Sequence, residues 1–461
     1  MADHKTRRLI VRISALALLV ALGVASYYAA RLVSVGVAYK AKMLCSGVFV
    51  SGRSPRAVLT DLEVDDLAML RHVDATLDRA TKSVTATILG LVTRQAVYRD
   101  GLGCALALDG RMPAGVAAGE LSPRPANSPD STLAIDSVER DRLEAVVDRA
   151  FGEPNPLHAR RTRAVVIVHK GHIVAERYAV GIGPDTPLIG WSMTKSVINA
   201  LVGILVMEGR LSTFGPVPIP EWREPGDPRG RITLDELLRM SSGLRFDEDM
   251  ADPLADAIQM LLSTGDMPMY AAAKDLEATP GTKWHYSSGT SNIIARIIRN
   301  VLANDREYWA FPRRALFDRL GMTGAVLETD GAGTFVGSSF MYATARDWAR
   351  FGMLYLQDGV WNGQRILPEG WVEYTRSPSE ADPRKHYGAH FWVDVPDEYR
   401  GTGGSLPQGA FHAAGHEAQF VTIVPSHEAV IVRLGLTRYG DAWNHVAFVR
   451  DVLAALEPSG G

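Results

Sequence analysis

The chain has 461 residues, 46% of them hydrophobic and 22% charged, with a formal net charge of −3. That length holds a large core and roughly two to three domains, and the composition is that of an ordinary globular protein. The charge balance gives no footprint of nucleic-acid binding, and the sequence holds no zinc-spaced Cys or His set, no P-loop and no dinucleotide glycine fingerprint.

In chain order, the N-terminus comes first. Lys5, Arg7, Arg8 and Arg12 precede ISALALLVALGVASYYAA (13–30), which has no charge. A helix of this length rises about 27 Å, near the thickness of a hydrocarbon core. Tyr27 and Tyr28 fall where an aromatic interface belt lies, and Arg31 can snorkel. A membrane anchor over residues 1–35 is expected, with the basic flank in the cytoplasm and the bulk of the chain on the periplasmic, extracytoplasmic side. The alternative is a signal peptide cleaved after Ser26, among small residues, which leaves a secreted protein. In an oxidising compartment Cys45 and Cys104, the only two cysteines, can form one disulfide; the alternative is two unpaired buried thiols.

Residues 36–132 read as a small N-terminal extension and linker. LTDLEVDDLAMLRHVDATLD (59–78) has helical spacing, and SVTATILGLVTRQAVYR (83–99) reads as strand. Residues 111–132 hold four prolines and many small residues, the composition of a linker. The main domain is expected over 133–461. It opens with an amphipathic helix at 136–151, capped by Asp136 or Ser137. RAVVIVHKG and HIVAERYAVG then meet at Lys170-Gly171-His172 as a hairpin. The run LIGWSMTKSVINALVGILVMEGRL (188–211) opens a helix reaching about Met207. ITLDELLRMSSGL (232–244) predicts a helix capped by Thr233 and stopped by Gly243. Three more helical patterns follow, and strand signals return in AQFVTIVP and HEAVIVRLG, turning at Pro425-Ser426, before a last helix. A sheet whose strands come from both ends, with a large helical insertion between them, predicts an α+β fold: an antiparallel sheet flanked by helices.

Three clusters carry chemistry. Ser192-Met193-Thr194-Lys195 is an S-x-x-K, which alone matches about once by chance in such a chain. Its context says more. Ser192 and Lys195 share a face at the start of a helix, where dipole and burial both lower an ammonium pKa. A lysine so depressed can take the proton of a serine hydroxyl, and the Ser192 N–H can serve a developing oxyanion. A simple N-cap accounts for Ser192 but does not favour a lysine in the first turn. The second cluster is PGTKWHYSSGTSNIIARII, where Tyr286 is either a core residue or a phenol that passes a proton. The third is FHAAGHEAQFVTIVP, where small residues up to Gly415 precede a strand and the His416 N–H can serve as a second oxyanion donor; the bland alternative is a turn that needs small residues. KHYGAHFWV (385–393) offers Tyr387 and Trp392 either as pocket lining or as core aromatics.

Together these clusters resemble the serine β-lactamase and penicillin-binding-protein superfamily, and within it the class C-related esterases and 6-aminohexanoate-dimer hydrolases. The resemblance spans about residues 136–458 and includes SSFMYATARDWARFGMLYLQDGVWNGQRILPEGW, its most family-specific stretch. It implies a nucleophile Ser192, a base Lys195, a proton-shuttling Tyr286, an acyl-enzyme, no metal and no cofactor. Two departures matter. Ser288 stands where the family's Tyr-x-Asn has Asn, and His412 to Gly415 replaces Lys-Thr-Gly, whose Lys and Thr hold a β-lactam carboxylate. Glu417-Ala418 also stands where relatives are often glycine-rich. The expectation is therefore a membrane-anchored hydrolase of a small-molecule ester or amide. The alternatives are a β-lactamase or cell-wall D-amino-acid peptidase and, from another class, a catalytically weak ligand-binding module on the same fold.

Overall fold

The computed structural model describes residues 2–108, 137–402 and 404–457. The 111–132 linker, the 132/133 boundary and the Asp136 cap lie outside the described residues.

Helix α1, Ala2–Phe49, is unbroken. Its large apolar side chains from Leu9 to Leu32 are exposed, whereas Val35, Val37, Ala38, Ala41, Leu44 and Val48 are buried. Position 35/36 thus lies inside one continuous helix whose two halves meet different surroundings. The buried half packs on a meander of four antiparallel strands, β1 Asp74–Asp78, β2 Ser83–Ile88, β3 Val92–Arg99 and β4 Gly103–Leu106. α2, Pro55–Leu62, is capped by Ser54 with proline in its first turn.

Two expectations are corrected in this region. The helical spacing of 59–78 gives only α2 and a 3₁₀ segment, Asp65–His72; residues 74–78 pair with β2 instead. Cross-strand pairing outweighs the apolar period there. The stretch 83–99 is a hairpin, because Leu89 and Gly90 take φ of 51° and 68° and reverse the chain. Cys45 and Cys104 are joined in a disulfide, with Cα atoms 6.1 Å apart. Lys42 pairs with Glu328 of the main domain, both fully buried. Glu328 also accepts from the Cys104 N–H at 2.7 Å and the Ser46 hydroxyl at 2.9 Å.

The main domain begins with α3, Ser137–Phe151, and the hairpin of β5, Thr162–His169, and β6, His172–Tyr178. After β7, Leu188–Ile189, the helical insertion runs through α4 Met193–Met207, α5 Leu234–Leu238, α6 Asp256–Ser263, α7 Met267–Ala272, α8 Ser288–Val301, α9 Asp305–Pro312 and α10 Asp318–Leu320. β8 Val326–Leu327 and β9 Met341–Ala343 pair with β7 in a small sheet. Then come α11 Ala345–Leu356, the short hairpin of β10 Val360–Trp361 and β11 Gln364–Arg365, α12 Trp371–Arg376 and α13 Asp397–Arg400. The chain closes with β12 Phe411–Gly415, β13 Gln419–Val424, β14 Ala429–Gly435 and α14 His445–Leu456.

β12-β13-β14-β5-β6 form one antiparallel sheet, with Ile431 opposite Ile167 and Val432 opposite Val166. Val165, Ile167 and Ile431 pack under α3 and α14, while Val166, Val430 and Val432 join the core that holds α4, α8 and α11. Both faces are covered, so β14 is buried along its whole length, Arg433 included. The architecture is the expected α+β one, an antiparallel sheet flanked by helices with a helical insertion.

The helix expected over 232–244 is shorter. Thr233 and Glu236 form a capping box, but α5 ends at Leu238. Met240 takes φ of 58° and breaks the run. Gly243 lies beyond the helix, where a Cβ would come 2.2 Å from the Ala278 carbonyl; close backbone approach, not a helix stop, demands glycine here. This turn accepts the His285 N–H at the Met240 carbonyl, 2.8 Å, and so places the segment that carries Tyr286.

Candidate active site

α4 starts at the edge of the sheet, beside the end of β12. Ser192 occupies the N-cap position, yet its side chain makes no capping hydrogen bond. Its hydroxyl faces Lys195 instead, at 3.0 Å from Nζ. Trp191, just before it, is held at φ of 46°, the kind of strained backbone that surrounding contacts must enforce.

Lys195 is buried, and Nζ has three partners: Ser192 Oγ at 3.0 Å, Ser288 Oγ at 3.1 Å and the Ser338 carbonyl at 3.1 Å. A neutral amine has two N–H donors and one lone pair. The Ser338 carbonyl can only accept, and the Ser288 hydroxyl can accept the second N–H, which leaves the lone pair for the Ser192 O–H. Burial pushes the Lys195 ammonium down to about 8, with the Glu248 carboxylate pulling the other way. Glu248 accepts the Ser288 backbone N–H, and burial raises its own carboxyl while Lys195 opposes.

Tyr286 lies over the same amine, its ring centroid 4.8 Å from Nζ. Burial pushes the phenol well up, and its hydrogen bond with the Ser192 side chain is the main opposing influence. Trp392 stacks on Tyr286 at 5.5 Å and Tyr387 meets it edge-on at 5.7 Å. Trp284 adds a third wall against His386 and Trp392.

The third cluster closes the other side. Ala413, Ala414 and Gly415 lie within β12 rather than before a strand, a correction that follows from their pairing with Val421, Phe420 and Gln419. A Cβ on Gly415 would meet the Gly190 carbonyl at 2.3 Å and the Ser192 nitrogen at 3.1 Å. The β12 backbone therefore lies directly against the nitrogen at the start of α4, which only glycine allows. Among the described residues the Ser192 N–H has no hydrogen-bond acceptor. His416 follows at the strand end, its ring edge-on to Trp191 at 5.6 Å. Two N–H groups at such a junction can hold an oxyanion.

The structure thus gathers Ser192, Lys195, Tyr286, Ser288, Gly415 and His416 in one place. His412 turns away: its Nδ1 meets Thr422 Oγ1 at 2.9 Å on the α14 side, and burial pushes it down to about 3, so it is neutral. The β12 positions aligned with the Lys-Thr pair hold neutral His412 and Ala413. Cys45 and Cys104 lie in the N-terminal extension, bonded to each other.

Sequence reasoning missed four supports. The Ser338 carbonyl has no side-chain signal at all. Neutral His390, pushed down to about 3 by burial, binds the Lys195 carbonyl at 3.0 Å and Ser291 Oγ at 3.2 Å. Glu248 lies in an unremarkable acidic loop. Glu417 was noticed only as a departure; it is buried, accepts Trp191 Nε1–H at 3.0 Å and pairs with Arg438 at 3.1 Å.

A Ser–Lys–Tyr cluster with a buried lysine, at the junction of an antiparallel sheet and a helical block, is the arrangement of a serine hydrolase. The family model described as Beta-lactamase matches residues 141–453, and the chain belongs to that family. It is 26% identical over 321 residues to the 6-aminohexanoate-dimer hydrolase of Paenarthrobacter ureafaciens, covering 64% of this chain and 77% of that protein. Among solved structures it is similar to a penicillin-binding-protein homologue from Caulobacter crescentus, at 18% identity and a TM-score of 0.54, over 70% of this chain and 99% of the other. A class C β-lactamase aligns at 14% identity and a TM-score of 0.53, over 72% and 100%. At these identities the structural likeness speaks for the fold.

Proposed function

We propose that the protein cleaves a small ester or linear amide by acylation of Ser192. Lys195 takes the Ser192 proton over 3.0 Å while Oγ attacks the carbonyl carbon. The N–H groups of Ser192 and His416 hold the oxyanion. Tyr286 passes its phenol proton to the departing alcohol or amine and takes up the one held on Lys195. Water then attacks the acyl carbonyl as the Lys195–Tyr286 pair accepts its proton, and that proton returns to Ser192 Oγ as the acyl–enzyme bond breaks and the acid leaves. The observation that carries this is the partner set of Lys195, which leaves its lone pair facing one serine hydroxyl.

The substrate class follows from what the cleft lacks and holds. Neutral His412 and the small Ala413 supply no grip for a substrate carboxylate, which disfavours β-lactams and the C-terminal carboxylates of wall peptides. The aromatic wall of Trp284, Tyr387 and Trp392 favours an uncharged acyl or leaving group. Amide cleavage accords with the named activity of the Paenarthrobacter relative. Rates on p-nitrophenyl esters, uncharged linear amides, D-amino-acid peptides and nitrocefin test the choice. Ester or linear-amide turnover at least about tenfold above nitrocefin is expected; the reverse order identifies a β-lactamase.

We also propose that the exposed half of α1 anchors the enzyme in a membrane, with the domain outside the cytoplasm. The apolar length of the helix, its basic flank and the Cys45–Cys104 disulfide support this. Resistance of the full chain to alkaline extraction from membranes is the expected result; release into the supernatant would favour signal cleavage.

A further inference from the structure

The tip of the β2–β3 hairpin is Leu89-Gly90-Leu91. Both leucines are almost fully exposed, at 84% and 83%, and Leu89 sits at φ of 51°. Hairpin tips with positive φ favour Asn, Asp or Gly, so two outward leucines are an unusual choice for a tip in water.

Its position supplies the reason. β3 runs alongside α1 in the same direction: Arg94 Nη2 donates to Ser34 Oγ at 2.5 Å, and Tyr98 packs on Phe49 at 5.6 Å. Cys104, opposite Tyr98, is bonded to Cys45 of α1. Leu91 precedes Tyr98 by seven residues, about 23 Å of strand, and that length of helix is about fifteen residues, which brings the tip level with about Ala30. There the exposed apolar part of α1 ends, and Arg31 bonds Gln259 of the main domain. Tyr27, Tyr28 and Arg31 are the residues that mark a bilayer interface.

We infer that Leu89 and Leu91 dip into the same bilayer surface that α1 enters, a second contact that fixes how the catalytic domain sits on the membrane. The inference rests on the anchor proposed above. A lipid surface, rather than a protein partner, is the occupant because the tip is continuous with the apolar stretch of α1. Insertion of two leucines removes their exposed area from water without requiring a pocket.

The test uses the full chain in nanodiscs of phosphatidylcholine and phosphatidylglycerol, one copy per disc, so that contact between copies is excluded. The native cysteines are paired with each other, so an introduced cysteine takes the label alone. A polarity-sensitive dye is placed in turn at L91C, at L19C within the exposed part of α1, and at L157C. Leu157 is 80% exposed and lies four residues before Arg161, which pairs with Asp65; the adjoining Glu63 pairs with Lys40 in the buried half of α1. The expected result is a blue-shifted, quencher-protected signal at 91 and 19, and a water-like signal at 157. A water-like signal at 91 with protection at 19 overturns the second contact and leaves the anchor standing. Water-like signals at both 91 and 19 overturn the anchor and the second contact together.

Discussion

At the scale of single residues, catalysis is expected to follow the state of Lys195. Its pKa of about 8 means that the neutral, proton-accepting form gains population as pH rises through 8. kcat/KM should therefore climb along a limb centred near 8 and level off above it. Glu248 raises that value by its charge, so Glu248→Gln should move the limb to lower pH, readable in the same pH–rate profile. Folding linkage has a definite sign. The folded-state pKa lies below the ordinary 10.5, so the burial cost is fully present below about 8 and is relieved as pH rises toward 10.5. Lys195→Met should abolish turnover and raise stability at neutral pH by up to about 3 kcal/mol, measured by urea denaturation. Glu417 acts through Trp191: its loss frees the residue that sets the Ser192 nitrogen. Glu417→Ala should lower kcat by about a hundredfold with little change in KM, whereas Glu417→Gln, which keeps an acceptor for Trp191 Nε1, should recover part of the loss. Equal effects on kcat and KM would point to a general structural role.

At the scale of elements, the interface between α1 and the main domain is the most consequential one. Lys42 and Glu328 are both buried, so removing one charge strands the other. Glu328→Gln should cost about 3–5 kcal/mol, visible as a fall in the unfolding midpoint. The disulfide closes a separation of 59 residues, and by chain entropy its reduction should cost about 4 kcal/mol. Elements were legible in the sequence where period and caps agreed: the β5–β6 hairpin at Lys170-Gly171, the Thr233 cap and the four long helices of the insertion and C-terminus. They were misread where tertiary contact decided. α5 stops early because Met240 must turn to hold His285, and residues 74–78 join β2 although their apolar period is helical. The Ser–Lys–Tyr cluster was legible because its residue types are scarce in such positions. Its supports were not. A carbonyl such as that of Ser338 has no identity in a sequence, and Glu417 lies 225 residues from Trp191's neighbour Ser192.

At the scale of the whole molecule, one sheet and one helical block meet along a line, and every group proposed to react sits on it. α4 brings Ser192 and Lys195, the segment before α8 brings Tyr286, and β12 brings Gly415. The N-terminal extension clamps this assembly at Glu328, in the segment that runs on to Ser338 and hence to the Lys195 amine. The central claim is that Ser192 is the acylated residue. Its most direct test is peptide mapping by mass spectrometry after treatment of the full chain with a fluorophosphonate. The predicted result is one adduct on the peptide containing Ser192, absent in a folded Lys195→Ala variant. An adduct on another residue, or none on Ser192 in the folded wild-type chain, would contradict the account.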